Sequence, residues 1–117
     1  MARRQGFSLI ELLIVVIIVG ILAAIAIPRF QATRQRAFIS SMKADLRTVV
    51  SAAESYYSQD GTYANYPAPA GSNGATLTFV GNATSWRATA THPSAPGVVC
   101  EVERGPAPGL RNEPTCQ

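Results

Sequence analysis

Glu11 stands at the end of Gly6-Phe7-Ser8-Leu9-Ile10-Glu11, and no other charged residue follows it until Arg29. An ionised carboxylate deep in hydrocarbon costs about 2.5–3.5 kcal/mol on insertion scales, and less near the end of a span. Such a group either reaches the headgroup layer or meets a cation. Two cysteines, Cys100 and Cys116, sit in the C-terminal tail. Nothing between them has metal-ligand spacing, and the only histidine, His92, precedes both. The pair reads as a disulfide, which points to an oxidising compartment. His92 stands before a proline and reads as a solvated turn residue. Glu101 and Glu103 alternate with apolar residues and read as the wet side of a strand near Arg87, a contact of about 0.2–1 kcal/mol at most. No catalytic constellation, metal site or cofactor site emerges, so no enzyme is expected.

The elements that carry these residues follow from periodicity. The chain has 117 residues, enough for one small domain. Residues 7–27 as a helix reach about 30 Å, one hydrocarbon thickness. The first quarter is therefore a membrane or targeting segment. Within it, Gly20 and Ala24 form a small-xxx-small pair. Pro28 cannot donate to the Ala24 carbonyl and predicts a kink. Beyond it the pattern becomes one-sided: Phe38, Met42, Leu46, Val49, Ala53 and Tyr56 recur every three or four residues, an amphipathic helix. Asp60-Gly61 predicts its stop, so one helix spans residues 8–58. A loop rich in Gly, Pro and Asn covers residues 63–75. Three strands follow, over residues 76–80, 85–91 and 98–103. Their inward sets are Leu77 and Phe79; Trp86, Ala88 and Ala90; and Val98, Cys100 and Val102. The expected fold is α+β: a long N-terminal helix, apolar then amphipathic, packed on a small antiparallel β-meander, with a C-terminal disulfide loop. Asn82-Ala83-Thr84 forms a glycosylation sequon, a tripeptide too frequent by chance to carry weight.

The formal charge is +3, too small to imply nucleic-acid binding. Its distribution raises a conflict. Arg3 and Arg4 precede the span, while Arg29, Arg34, Arg36 and Lys43 follow it. For a plain anchor the positive-inside rule puts the C-terminus in the cytoplasm, whereas the cysteine pair asks for the other side. A secretory signal is a second reading, with Ala24-Ile25-Ala26 as cleavage string. The apolar run is long for that, and Glu11 interrupts it.

The stretch Gly6-Phe7-Ser8-Leu9-Ile10-Glu11, with its short basic leader and following apolar helix, resembles the class III signal of type IV pilins and related pseudopilins. The strict resemblance covers residues 3–36. It implies cleavage between Gly6 and Phe7 by a prepilin peptidase, N-methylation of Phe7, and retention of the apolar segment. Loss of Arg3 and Arg4 takes the formal charge from +3 to +1. It also implies that Glu11 meets the Phe7 amine of a neighbouring subunit during assembly, and that residues 20–28, between Gly20 and Pro28, unwind in the filament. The implied layout is a leader (1–6), a transmembrane and filament-core half-helix (7–29), an amphipathic half (30–58), a connecting loop (59–75), a meander (76–104) and a loop closed by Cys100 and Cys116 (105–117). The implied function is a structural, major subunit of a type IV pilus, a homo-oligomeric helical filament serving adhesion, motility or DNA uptake. Its implied partners are the membrane before assembly, the prepilin peptidase and methyltransferase, and an inner-membrane platform with its ATPase. The implied location is a single-pass inner-membrane protein with its C-terminal domain outside the cytoplasm, then an extracellular pilus. A type II secretion pseudopilin is the alternative. Its major forms carry an acidic calcium loop near the C-terminus, where this chain has one carboxylate, Glu113, in residues 105–114. A small anchored or secreted binding domain that does not polymerise is the second alternative.

Overall fold

The computed structural model describes residues 5–105 and 112–117. Helix α1 runs Leu9–Asp60, followed by β1 (Thr76–Gly81), β2 (Trp86–Thr91), β3 (Val99–Arg104) and β4 (Thr115–Cys116). The strands form one antiparallel sheet in the order β1-β2-β3-β4. The chain divides into two compact units, Met1–Arg34 and Gln35–Gln117.

In the second unit the amphipathic face does what its period predicts. Met42, Leu46, Val49 and Ala53 are buried, with Phe38 and Tyr56 half-buried at the ends of the stripe. They share one core with Trp86, Ala88 and Ala90 of β2 and with Cys100 and Val102 of β3. Ala88 lies between Phe79 and Val102, and Ala90 between Leu77 and Cys100, across the sheet. Small side chains at the sheet centre let the helix approach, while the larger Trp86 fills one end. Full burial of side chains such as Met42 and Leu46 contributes about 1.5–3 kcal/mol each. The opposite face is polar, with Thr78, Thr89, Glu101 and Thr115 in one cross-strand row. On that face Arg87 donates to Glu103 at 2.7 Å, the neighbour expected from their alternation.

The helix stops as predicted. Gly61 takes the left-handed conformation (φ 68°) and its N–H reaches the Tyr57 carbonyl at 2.8 Å, an αL cap. The 63–75 connection is a loop, but it is not merely a solvated one. Tyr63 is buried, its N–H donates to the Asn82 carbonyl (3.0 Å), and its hydroxyl donates to Glu54 (3.1 Å). Glu54 also pairs with Arg104. Farther on, the Ser72 N–H and hydroxyl donate to Asp45 at 2.9 and 2.8 Å. Six rings make a continuous series, Tyr57–Tyr63–Trp86–Phe79–Tyr66–Tyr56, with centroid spacings from 4.5 to 6.4 Å.

His92 corrects the sequence reading. It is buried at 8% exposure and stacks on Phe38, with ring centroids 4.0 Å apart. The Ser94 N–H donates to Nδ1 at 2.9 Å, so Nε2 carries the proton and donates to the Asn73 carbonyl at 2.8 Å. Both ring nitrogens are satisfied at the end of β2, where the loop and helix close over the ring. The turn after it is as expected, with Ala95 N–H on the His92 carbonyl.

The Cys100–Cys116 disulfide forms, with Cα atoms 4.0 Å apart. Its partner strand β4 is a fourth strand, absent from the predicted three. Cys100 lies directly opposite Cys116, and Val99 and Gln117 exchange two backbone bonds of 2.9 and 3.1 Å. Residues 106–111 of the closed loop, including Pro106 and Pro108, lie outside the described residues. Glu113 does pair with Arg47, at 2.5 Å.

Candidate processing and assembly site

The site belongs to the first unit, where the apolar half of α1 has no core of its own. Its large apolar side chains, from Phe7 to Phe30, are all exposed, Phe7 at 91%. This is the one helix among the described residues long and apolar enough to cross a membrane, and the apolar window is not buried in the protein. A surface of this kind requires lipid or other subunits to cover it.

Gly6 and Phe7 precede the first helical turn and belong to no helix or strand. A Cβ placed on Gly6 meets nothing within 4 Å, so no packing in this chain demands glycine there. The same holds at Gly20. The helix runs unbroken through Gly20 and Pro28.

Glu11 is held in an arrangement that its sequence setting contains but that the reading above missed. The Ser8 N–H donates to Glu11 Oε2 at 2.9 Å, and the Glu11 N–H donates to Ser8 Oγ at 3.3 Å. This is a capping box, whose signature S-x-x-E is legible in Ser8-Leu9-Ile10-Glu11. It satisfies a free N–H of the first turn and sets a carboxylate at the positive end of the helix. The carboxylate therefore has a hydrogen-bond partner within its own chain. It also lies within one turn of Phe7, the residue that carries the amine if the chain is cut after Gly6. The described residues contain no cluster of His, Cys, Asp or Glu able to hold a metal ion.

The class of this segment is set by its match to known proteins. Residues 1–27 match the family described as the prokaryotic N-terminal methylation motif. Over 64 residues the chain is 45% identical to the type IV major pilin protein PilA of Myxococcus xanthus, covering 55% of this chain and 29% of that one. It is 47% identical over 55 residues to a fimbrial protein of Pseudomonas aeruginosa, covering 47% of this chain and 36% of the relative. It is also 40% identical over 58 residues to the type II secretion system core protein G of Pseudomonas aeruginosa, covering 48% and 41%. The matched stretch thus spans well under half the length of these curated relatives. The chain carries a pilin-type methylation segment and is similar to type IV pilins and to a type II secretion protein.

Proposed function

We propose that the chain is a structural, major subunit of a type IV pilus, cut between Gly6 and Phe7, methylated on Phe7, and polymerised through the apolar half of α1. The observation that carries this reading is the juxtaposition at the N-terminus. A methylation motif, a fully exposed apolar helix and a carboxylate one turn from the new amine occupy one short segment. Curated relatives named as major pilins and fimbrial proteins support the pilus. In the membrane the apolar half is the anchor, with the disulfide-bearing unit on the oxidising side. In the filament the same surface packs on its copies, and residues 20–28 unwind where Gly20 and Pro28 weaken the hydrogen-bond ladder. The residue layout of leader, half-helices, loop, meander and disulfide loop given above is part of this proposal. So are a prepilin peptidase and methyltransferase, an inner-membrane platform and its ATPase as partners.

Glu11 is the register device. Correct stacking gives its carboxylate a neighbour's Phe7 ammonium in a dry setting, and misplaced stacking leaves a buried charge unpaired. Two substitutions separate charge from capping. Glu11→Ala removes both, whereas Glu11→Gln keeps the capping-box hydrogen bond and loses the charge. Both variants are expected to be processed and inserted, and both to yield few filaments by electron microscopy of sheared surface material. Normal filaments from Glu11→Gln alone would show that the cap, not the ion pair, matters. Mass spectrometry of the mature chain tests the processing step: a methylated Phe7 terminus supports it, and a terminus at Ile27 or Met1 refutes it. The type II secretion reading rests on the core protein G match, and the location of any filament, surface or periplasm, separates the two.

A further inference from the structure

We infer that the free edge of β1 pairs with β1 of a second copy of the chain, antiparallel and two-fold, with Thr78 on the axis. The sheet order β1-β2-β3-β4 makes β1 and β4 its two edges, and they are built differently. β4 has two residues and is tied down by the disulfide. β1 has six, and its register with β2 runs without a bulge from Thr76 opposite Thr91 to Gly81 opposite Trp86. Edge strands are ordinarily blunted by shortness, a lysine, a proline, a bulge or a covering segment. β1 has none of the first four, and no residue from Gly61 to Trp86 carries a charge. The 63–75 loop touches the strand through the Tyr66 ring on Phe79 and the Tyr63 carbonyl beside Gly81. Among the described residues, no backbone hydrogen bond joins that loop to Thr76–Gly81.

The ladder shows which backbone groups are left over. In antiparallel pairs, successive residues turn their N–H and C=O alternately to one neighbouring strand and the other. Val99 and Gln117 exchange both bonds, so Val99 and Glu101 turn to β4 while Cys100 and Val102 turn to β2. Through the register, Ala88 and Ala90 turn to β3, and Arg87, Thr89 and Thr91 turn to β1. Their partners Thr76, Thr78 and Val80 are therefore bonded to β2, which leaves Leu77 and Phe79 facing outward. The Asn82 N–H on the Ser85 carbonyl, at 2.8 Å, gives the same phase from the hairpin end. Pairing about Thr78 sets Leu77 of each copy opposite Phe79 of the other, and each such pair exchanges both backbone bonds. The side chains match as well. Leu77 meets Phe79 on the helix side. On the other face Thr78 meets Thr78, and Thr76 meets Val80, which is 75% exposed in the single chain. An uncharged strand meets its own copy without repulsion, whereas a charged partner segment finds no counter-charge on β1. The contact is isologous, so it is additional to the head-to-tail contacts by which a filament grows.

The test uses the full chain in mild detergent at rising protein concentration, with amide exchange read by nuclear magnetic resonance. Protection is expected to rise with concentration at Leu77 and Phe79 and to stay constant at Thr76, Thr78 and Val80, whose amides are already bonded. Thr78→Lys sets like charges opposite each other and should weaken dimerisation about fivefold in analytical ultracentrifugation. Thr78→Glu should do the same, and an equimolar mixture of the two variants should restore pairing. Both native cysteines are in the disulfide, so Thr78→Cys adds a single free thiol. Mild oxidation should link copies through Thr78→Cys and not through Thr91→Cys, one strand further in. A chain that is monomeric at every concentration overturns the inference. So do dimers that survive Thr78→Lys and leave Leu77 and Phe79 unprotected, which form through the apolar helix instead. A Lys and Glu mixture no better than either variant, or equal linkage through Thr91→Cys, overturns it too. A Thr78→Cys chain that links only to an unrelated extended peptide assigns the edge to a foreign strand and also overturns it.

Discussion

Breaking the Cys100–Cys116 bridge perturbs this fold at a place where the structure allows a magnitude. The bridge joins residues 16 apart in sequence. Closing a loop of that size removes about 3 kcal/mol of chain entropy from the unfolded state. Little else holds the last strand. β4 has two residues, pairs with β3 only, and is flanked by the reciprocal Val99–Gln117 backbone bonds. Cys100 is completely buried in the shared core, so the bridge also ties the tail to the helix–sheet interface. The single tryptophan, Trp86, is buried in the same core and reports its unfolding. Urea titration of the full chain in mild detergent, followed by Trp86 fluorescence, should show the reduced protein or Cys100→Ala/Cys116→Ala less stable by about 3 kcal/mol. With a urea slope of about 1–3 kcal/mol/M, the midpoint falls by about 1–3 M. Hydrogen exchange should show the Gln117 amide losing protection well before the amides of β2. Coincident midpoints for oxidised and reduced chains would refute the loop-closure reasoning. Equal loss of protection in β2 and at Gln117 would refute the view that the bridge chiefly secures the tail.

Tyr63 makes stability fall at alkaline pH. Burial, and next the Glu54 carboxylate beside its hydroxyl, push the Tyr63 phenol above its ordinary value. The folded state therefore holds this proton more tightly than the unfolded chain. That contribution is complete below pH about 10 and is lost as pH rises through the folded value. Denaturation across pH 8–12 (on the order of the tyrosine range) should show this fall, and Tyr63→Phe should flatten it. Gly81→Ala is expected to cost about 1–3 kcal/mol, because its Cβ lands 2.6 Å from the Tyr63 carbonyl oxygen and 3.0 Å from the Tyr63 Cβ. The crowding involves backbone that is itself fixed by the Tyr63–Asn82 bond, so side-chain rotation cannot relieve it. An unchanged thermal midpoint for Gly81→Ala would show that the 63–82 contact yields freely.

Much of the architecture was legible because it is written in local periods. The apolar run of residues 12–27, the stripe from Phe38 to Tyr56 and the alternation of Trp86, Ala88 and Ala90 each describe one element facing one environment. The Asp60-Gly61 stop is likewise a local event, since only a residue tolerant of positive φ continues the chain there. The capping box was legible too, in Ser8 and Glu11. It went unread because an isolated carboxylate in an apolar run draws attention to distant partners before near ones.

By itself, then, the sequence determined the apolar run, the amphipathic half-helix, the three main strands with their inward faces, and the N-terminal methylation motif matched over residues 1–27. Tertiary structure alone decided the rest. His92 became a buried ring because Phe38, 54 residues away by their numbers in the sequence, stacks on it and Asn73 and Ser94 satisfy both nitrogens. Thr115 and Cys116 became a strand because β3 offered a free edge and Cys100 stood opposite Cys116. Tyr63 became core, and Gly81 a required glycine, because a loop folds back over the end of the sheet. Each of these depends on residues far apart in the chain arriving together, and no local period encodes such a meeting.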